Sequence, residues 1–171
     1  MTMQYDVKQA HTNQSGFMIL QRTRVKAVSF VGSTSAGQFV LFDTTTAPVS
    51  SGVTYARSGA TVTVSKTAHG LLAGQTIGID FDSGSGGSAT PGNYTIATAT
   101  ANTFTITDIN SGTITGTPAA VYSTGSWLMT FDVAANDTYN NGQTLPGEGL
   151  LAQNGVYAYM VNLAAVSVFY G

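Results

Sequence analysis

Alternation of apolar and polar residues with period two runs through the middle of this chain. Ala60–Lys66 sets Val62 and Val64 against Thr61, Thr63 and Ser65, and Thr76–Phe81 puts Ile77, Ile79 and Phe81 on one face. Asn93–Ala97 adds Tyr94 and Ile96, and Thr103–Thr107 adds Phe104 and Ile106. Successive strand side chains point to opposite sides, so each segment is a strand with one apolar and one polar face. Helical spacing is nearly absent. The pattern predicts an all-β fold of antiparallel strands, a small barrel or sandwich.

The outer parts of the chain read differently. Val25–Val31, Gln38–Phe42, Trp127–Val133, Val156–Val161 and Ala165–Tyr170 are apolar on both faces or nearly so. Strands of that kind are covered on both sides, by a second sheet, another domain or a neighbouring subunit. The change of pattern divides the chain into a host β-sandwich, residues 21–54 plus 124–171, and an inserted β-barrel module, residues 55–123. Pro48–Gly52 and Ser123–Ser126 are small, turn-prone boundaries. A single continuous barrel is the alternative. Residues 1–20 are polar and irregular until Phe17–Leu20 and read as an N-terminal arm, either docked on a neighbour or frayed.

Charge is scarce. Only 8% of the 171 residues are Asp, Glu, Lys or Arg, against about 25% in ordinary soluble domains. Thr, Ser, Asn and the 20 glycines supply the polarity instead. The formal net charge is −2, so no basic field exists to attract nucleic acid. Arg22, Arg24 and Lys26 form the one cationic cluster, either a contact to an acidic partner or a solvated strand face. With no cysteine, disulfides and thiolate metal sites are excluded. The first residues lack a basic stretch followed by an apolar run, and no segment reads as a membrane span.

A catalytic set is hard to assemble from these residues. The two histidines are His11 and His69. His69 follows a strand in Thr67-Ala68-His69-Gly70, where a turn residue bonding local backbone is expected. Asp80 and Asp82 precede a Gly-rich run, but the later ligands of a calcium loop are missing. Gly84–Gly87 is followed by no Lys-Ser/Thr and no helix, so it is no phosphate cradle. No cofactor is implied. Tyr157 and Tyr159 share a strand face and suit either stacking of a ligand or packing on a partner. The stretch from Gly149 to Gly171 has no charged residue. A hairpin of 156–161 with 165–170 at a sheet edge would need cover, which predicts a homo-oligomer. The expected interface residues are Phe17, Leu20, Tyr157, Tyr159, Phe169 and Tyr170.

Two sets of segments carry a resemblance. Lys66–Phe81 with its Ala68-His69-Gly70-Leu71 turn, Pro91–Ile96 and Ala101–Ile106 resemble a small β-barrel module of phage tail and capsid proteins. In fold, that module is similar to the first catalytic cysteine half-domain of ubiquitin-activating enzymes. Val25–Val31, Ala36–Asp43, Leu145–Leu151 and Gly155–Gly171 resemble short virion proteins of marine and cyanobacterial tailed phages. The resemblance implies a non-enzymatic structural protein of a virion, assembled in the bacterial cytoplasm. It would be a capsid decoration, with a tail component as second choice. Its implied partners are its own copies, as a trimer, and the major capsid or other virion proteins, with no nucleic acid or membrane. A module binding a host surface glycan is the competing class, and an exposed aromatic platform flanked by Asp and Asn would favour it.

Overall fold

The computed structural model describes residues 7–171, and within 138–142 it describes the backbone alone. The chain divides into two compact units, Pro48–Trp127 and the remainder on either side of it, up to Ala47 and from Leu128. Before the division come β1 (Lys8–Thr12), β2 (Gly16–Ile19), β3 (Thr23–Gly32) and β4 (Gly37–Asp43). Within Pro48–Trp127 lie β5 (Thr54–Ser65), β6 (Thr76–Phe81), β7 (Gly92–Thr95), β8 (Thr98–Ala99), β9 (Thr103–Ile114) and β10 (Ala120–Ser123). Then follow β11 (Ser126–Val133), β12 (Thr138–Thr144), β13 (Leu150–Ala152), β14 (Val156–Val161) and β15 (Leu163–Tyr170).

The first unit is two antiparallel sheets with a core between them. One sheet runs β1-β15-β3-β12, with β13 also on β3; the other runs β11-β4-β14-β2. The ten-residue β3 is long enough to carry β12 against Ala27–Val31 and β13 against Thr23–Val25 on the same edge. The core takes Val25, Val28, Phe30, Val166 and Val168 from the first sheet and Phe39, Leu41, Val156 and Ala158 from the second. Burial of such side chains contributes about 1.5–3 kcal/mol each. Val40 and Phe42 point the other way along β4 and are also buried, which accounts for the two-sided apolar pattern of this strand.

Three expectations are corrected here. Residues 8–19 are no arm: β1 pairs along β15 from Lys8↔Tyr170 to Thr12↔Val166, and β2 pairs with β14. Residues 1–6 of the expected arm lie outside the described residues. The C-terminal strands form no edge hairpin either. Asn162, at φ +51°, turns the chain from one sheet to the other. There β14 lies between β4 and β2, and β15 between β1 and β3. Their backbone groups are therefore paired, and the edge-based reason for self-association falls away. Finally, the inserted module is no closed barrel.

That second unit is sandwich-like, with sheets β10-β6-β7 and β5-β9-β8. Val62, Val64, Phe104 and Ile106 from one meet Ile77, Ile79 and Tyr122 from the other in its core. It begins at Pro48 and ends at Trp127, beyond the expected 55–123, because its ends are tied in by contacts that alternation does not register. Val49 and Tyr122 exchange backbone hydrogen bonds of 2.7 and 3.1 Å. The Asn93 side chain accepts from Trp127 N at 2.7 Å and donates to Trp127 O at 3.1 Å. Gly78 lets this segment approach, since a Cβ there would collide with Trp127 N.

In the first unit the passage from β13 to β14 is held by one carboxylate. Asp43, at the end of β4 and buried, accepts from Gln153 N at 2.8 Å, Asn154 N at 2.7 Å and Gly155 N at 3.1 Å. Bonds to a charged acceptor contribute about 1.5–3 kcal/mol each, and a buried donor left unpaired costs a similar amount. Asp43→Ala is expected to lower unfolding stability by about 3 kcal/mol or more. Urea titration checks this; a loss of a few tenths would mean that the turn is held by other contacts.

Candidate interaction surfaces and buried charge

The six residues expected at an interface do not form one surface. Phe17 and Tyr157 face each other in the register of β2 and β14, ring centroids 4.9 Å apart at 87°. Tyr159 is two pairs along β14, opposite Val40. Burial, then the neighbouring Tyr159, pushes the Tyr157 phenol up, so it stays uncharged at neutral pH. An edge-on pair offers no flat platform for a sugar ring. Leu20 is 75% exposed beyond the end of β2. Phe169 and Tyr170 lie in the other sheet, where Tyr170 packs against the core and Phe169 alternates to the opposite face.

That opposite face of the five-stranded sheet was not singled out by the sequence. Directly paired residues share a face in an antiparallel sheet. Gln9, Phe169 and Ala27 therefore form one row, and His11, Ser167 and Ser29 the next. Ala165 and Val31 follow. His11 Nδ1 and Ser167 Oγ are 3.0 Å apart across the second row. None of these eight side chains is acidic, Lys or Arg. Phe169, Ala27, Ser29 and Ala165 are half-buried and Val31 is exposed. The available signal was the alternation of Phe169 against Val166 and Val168, hidden because the whole strand is apolar.

Of the residues weighed for chemistry, His69, Asp80 and Asp82 lie in the second unit. Ala68, at φ +52°, donates its N–H to Asn102 Oδ1, and Asn102 O accepts from Lys66 N. The Ala68–Leu71 turn and the Ala101–Ile106 segment are thus one hydrogen-bonded assembly. His69 Nδ1 accepts from Leu71 N at 3.0 Å, which places the ring proton on Nε2, and the ring meets Phe104 edge-on at 5.2 Å. Asp80 is buried in β6, whereas Asp82 is exposed past its end. Among the described residues no three His, Asp or Glu side chains are grouped as metal ligands. Among the described residues no helix is long and apolar enough to cross a membrane.

Sequence reasoning missed the strongest electrostatic feature, the buried pair Arg57–Asp108. Arg57 Nη1 donates to Asp108 Oδ2 at 2.7 Å, with the side chains 8% and 1% exposed. Thr90 N also donates to Oδ2 and Asn110 N to Oδ1. Gly112 leaves room for the guanidinium, since a Cβ there would stand 2.9 Å from Arg57 Nη2. Arg57 Nε is buried with no partner among the described residues. Arg57 and Asp108 are 51 positions apart, and no local pattern links them.

Comparison with known proteins adds no relative: no family model, curated protein or solved structure matches the chain.

Burial pushes the Asp108 carboxyl up, but the bonds from Asn110, Thr90 and Arg57 outweigh it and hold it below the usual carboxylate range. A depressed folded value gives stability that is present above the unfolded value and is lost as pH falls through the folded one. Asp108→Asn is therefore expected to cost about 3 kcal/mol at neutral pH, because it leaves Arg57 charged and buried. The gap to wild type should narrow as pH falls below about 4, where the unfolded carboxyl takes up its proton first and the native one follows at lower pH. Urea midpoints measured across that range check it; a gap constant from neutral to acid pH would contradict the assignment.

Proposed function

We propose that this chain is a non-enzymatic structural protein that works by packing one part of its outer sheet face, the rows across β1, β15 and Ala27–Val31 of β3, against a second copy of itself. The observation that supports this reading is that face: two rows, Gln9–Phe169–Ala27 and His11–Ser167–Ser29, continued by Ala165 and Val31. Burying an unpaired charge in an interface costs several kcal/mol. A surface with neither acidic nor Lys or Arg side chains avoids that cost, and hydroxyl and amide groups still form hydrogen bonds across it. The same patch on a second copy is equally uncharged, so a twofold or higher closed arrangement meets no like-charge repulsion. The resemblance to phage virion proteins supplies the setting, a decoration on a capsid surface, with a tail position second. The sandwich-like fold is compatible with that setting and with many others.

Sedimentation of the purified protein at micromolar concentration tests the packing. The wild type is expected to self-associate, and Phe169→Asp to run as a monomer, because a carboxylate would enter the contact unpaired. Val31→Glu, at a more exposed position, should act in the same direction with its circular dichroism unchanged. A wild-type protein that stays monomeric, with both variants indistinguishable from it, would overturn the reading.

A further inference from the structure

We propose that a cavity at one end of the five-stranded sheet binds an organic phosphate or sulfate of about monosaccharide size. The cavity has a volume of about 340 Å³ and is lined by Lys8, Arg22, Arg24, Gln21, Thr23 and Tyr170, among others. It lies where β1 and β3 begin and β15 and β13 end, since Lys8 pairs with Tyr170, Tyr170 with Val25, and Leu151 with Arg24. The protein has six Lys and Arg residues in all, and three of them meet here, in a chain that otherwise keeps charge sparse. The sequence cluster Arg22, Arg24 and Lys26 is thereby resolved. Lys26 is turned to Glu148 O at 3.0 Å, and Lys8 joins the two arginines from another strand.

Cations in such a small space repel unless an anion sits among them. Among the described residues one side-chain carboxylate is paired there, Glu148, 79% exposed and 3.2 Å from Arg24; Leu151 and Gly171 complete the lining. Arg22 Nε is held by Gln153 Oε1 at 2.9 Å, which fixes the guanidinium without neutralising it. Neither Lys8 nor Arg22 is in an ion pair with a described residue. Two planar forks and one ammonium suit a tetrahedral oxyanion, which accepts from several directions at once. The volume falls at the low end of small-molecule sites, about 300–1,000 Å³, more than a bare ion needs. The Tyr170 ring and the Gln21 and Thr23 side chains provide a wall for a polar ring carrying the anion. This inference does not rest on self-association.

Calorimetric titration of the full chain with glucose 6-phosphate, glucose 6-sulfate, glucose and inorganic phosphate tests it. The phosphate and sulfate esters are expected to bind, glucose is not, and affinity should fall as sodium chloride is raised. R22Q with R24Q should weaken binding at least about tenfold; both positions are solvent-accessible, so an unchanged thermal melt certifies the fold. K66Q, at a cation in the other unit, should leave binding unchanged. Inorganic phosphate binding as tightly as the sugar phosphate would overturn the ring component, leaving a site for a free oxyanion. No binding of any phosphate or sulfate at millimolar concentration, or equal binding by R22Q/R24Q, would overturn the site.

Discussion

The first unit depends on the Asp43 carboxylate. Asp43 ends β4 in one sheet, and the three N–H groups that it accepts belong to the turn where the chain leaves β13, in the other sheet, to enter β14. Without an acceptor there, the turn would carry three unpaired donors, that of Gly155 buried, and the crossing between sheets would lose this support. Both strands that follow are central ones, β14 in one sheet and β15 in the other.

The second unit uses the same device with opposite partners. The Arg57–Asp108 pair ties β5 to β9 near a bulge at Gly59–Thr61 and gathers the Thr90 and Asn110 backbone onto one carboxylate. Ion pairs at such depth are often neutral in net stability, but they penalise any arrangement that separates the two charges. In a chain with six cationic and eight acidic residues, three of the fourteen are committed to internal fixtures. Three more converge on one cavity, which leaves few charged residues for the rest of the surface.

The strands with clear alternation were legible. Thr76–Phe81 stands as read, Ala60–Ser65 and Thr103–Thr107 fall within longer strands with Lys66 just past β5, and Val25–Val31 lies inside β3. The strands that escaped notice have reasons to. Lys8–Thr12 is polar because β1 is an edge strand with one wet face, and Leu150–Ala152 is too short to show a period. The apolar C-terminal strands were recognised, but their partners were misplaced. Whether 156–161 pairs with 165–170 or each joins a different sheet depends on Asn162 and on strands far away in sequence. For the same reason the boundary of the inserted unit moved outward: Asn93 clamps Trp127 across 34 positions, a contact with no local signature. The candidate surfaces were half legible, since residue types were visible and face assignments were not.

The proposed function rests on contact through one part of a sheet face, the rows across β1, β15 and Ala27–Val31, whose eight side chains include no acidic, Lys or Arg residue. Hydroxyl-radical footprinting across a dilution series measures that face directly. At concentrations where the protein associates, Phe169 and Val31 should become protected, while Ile109, 81% exposed in the other unit, remains reactive. Equal reactivity of Phe169 and Val31 in the free and associated protein would contradict the account and place any contact elsewhere.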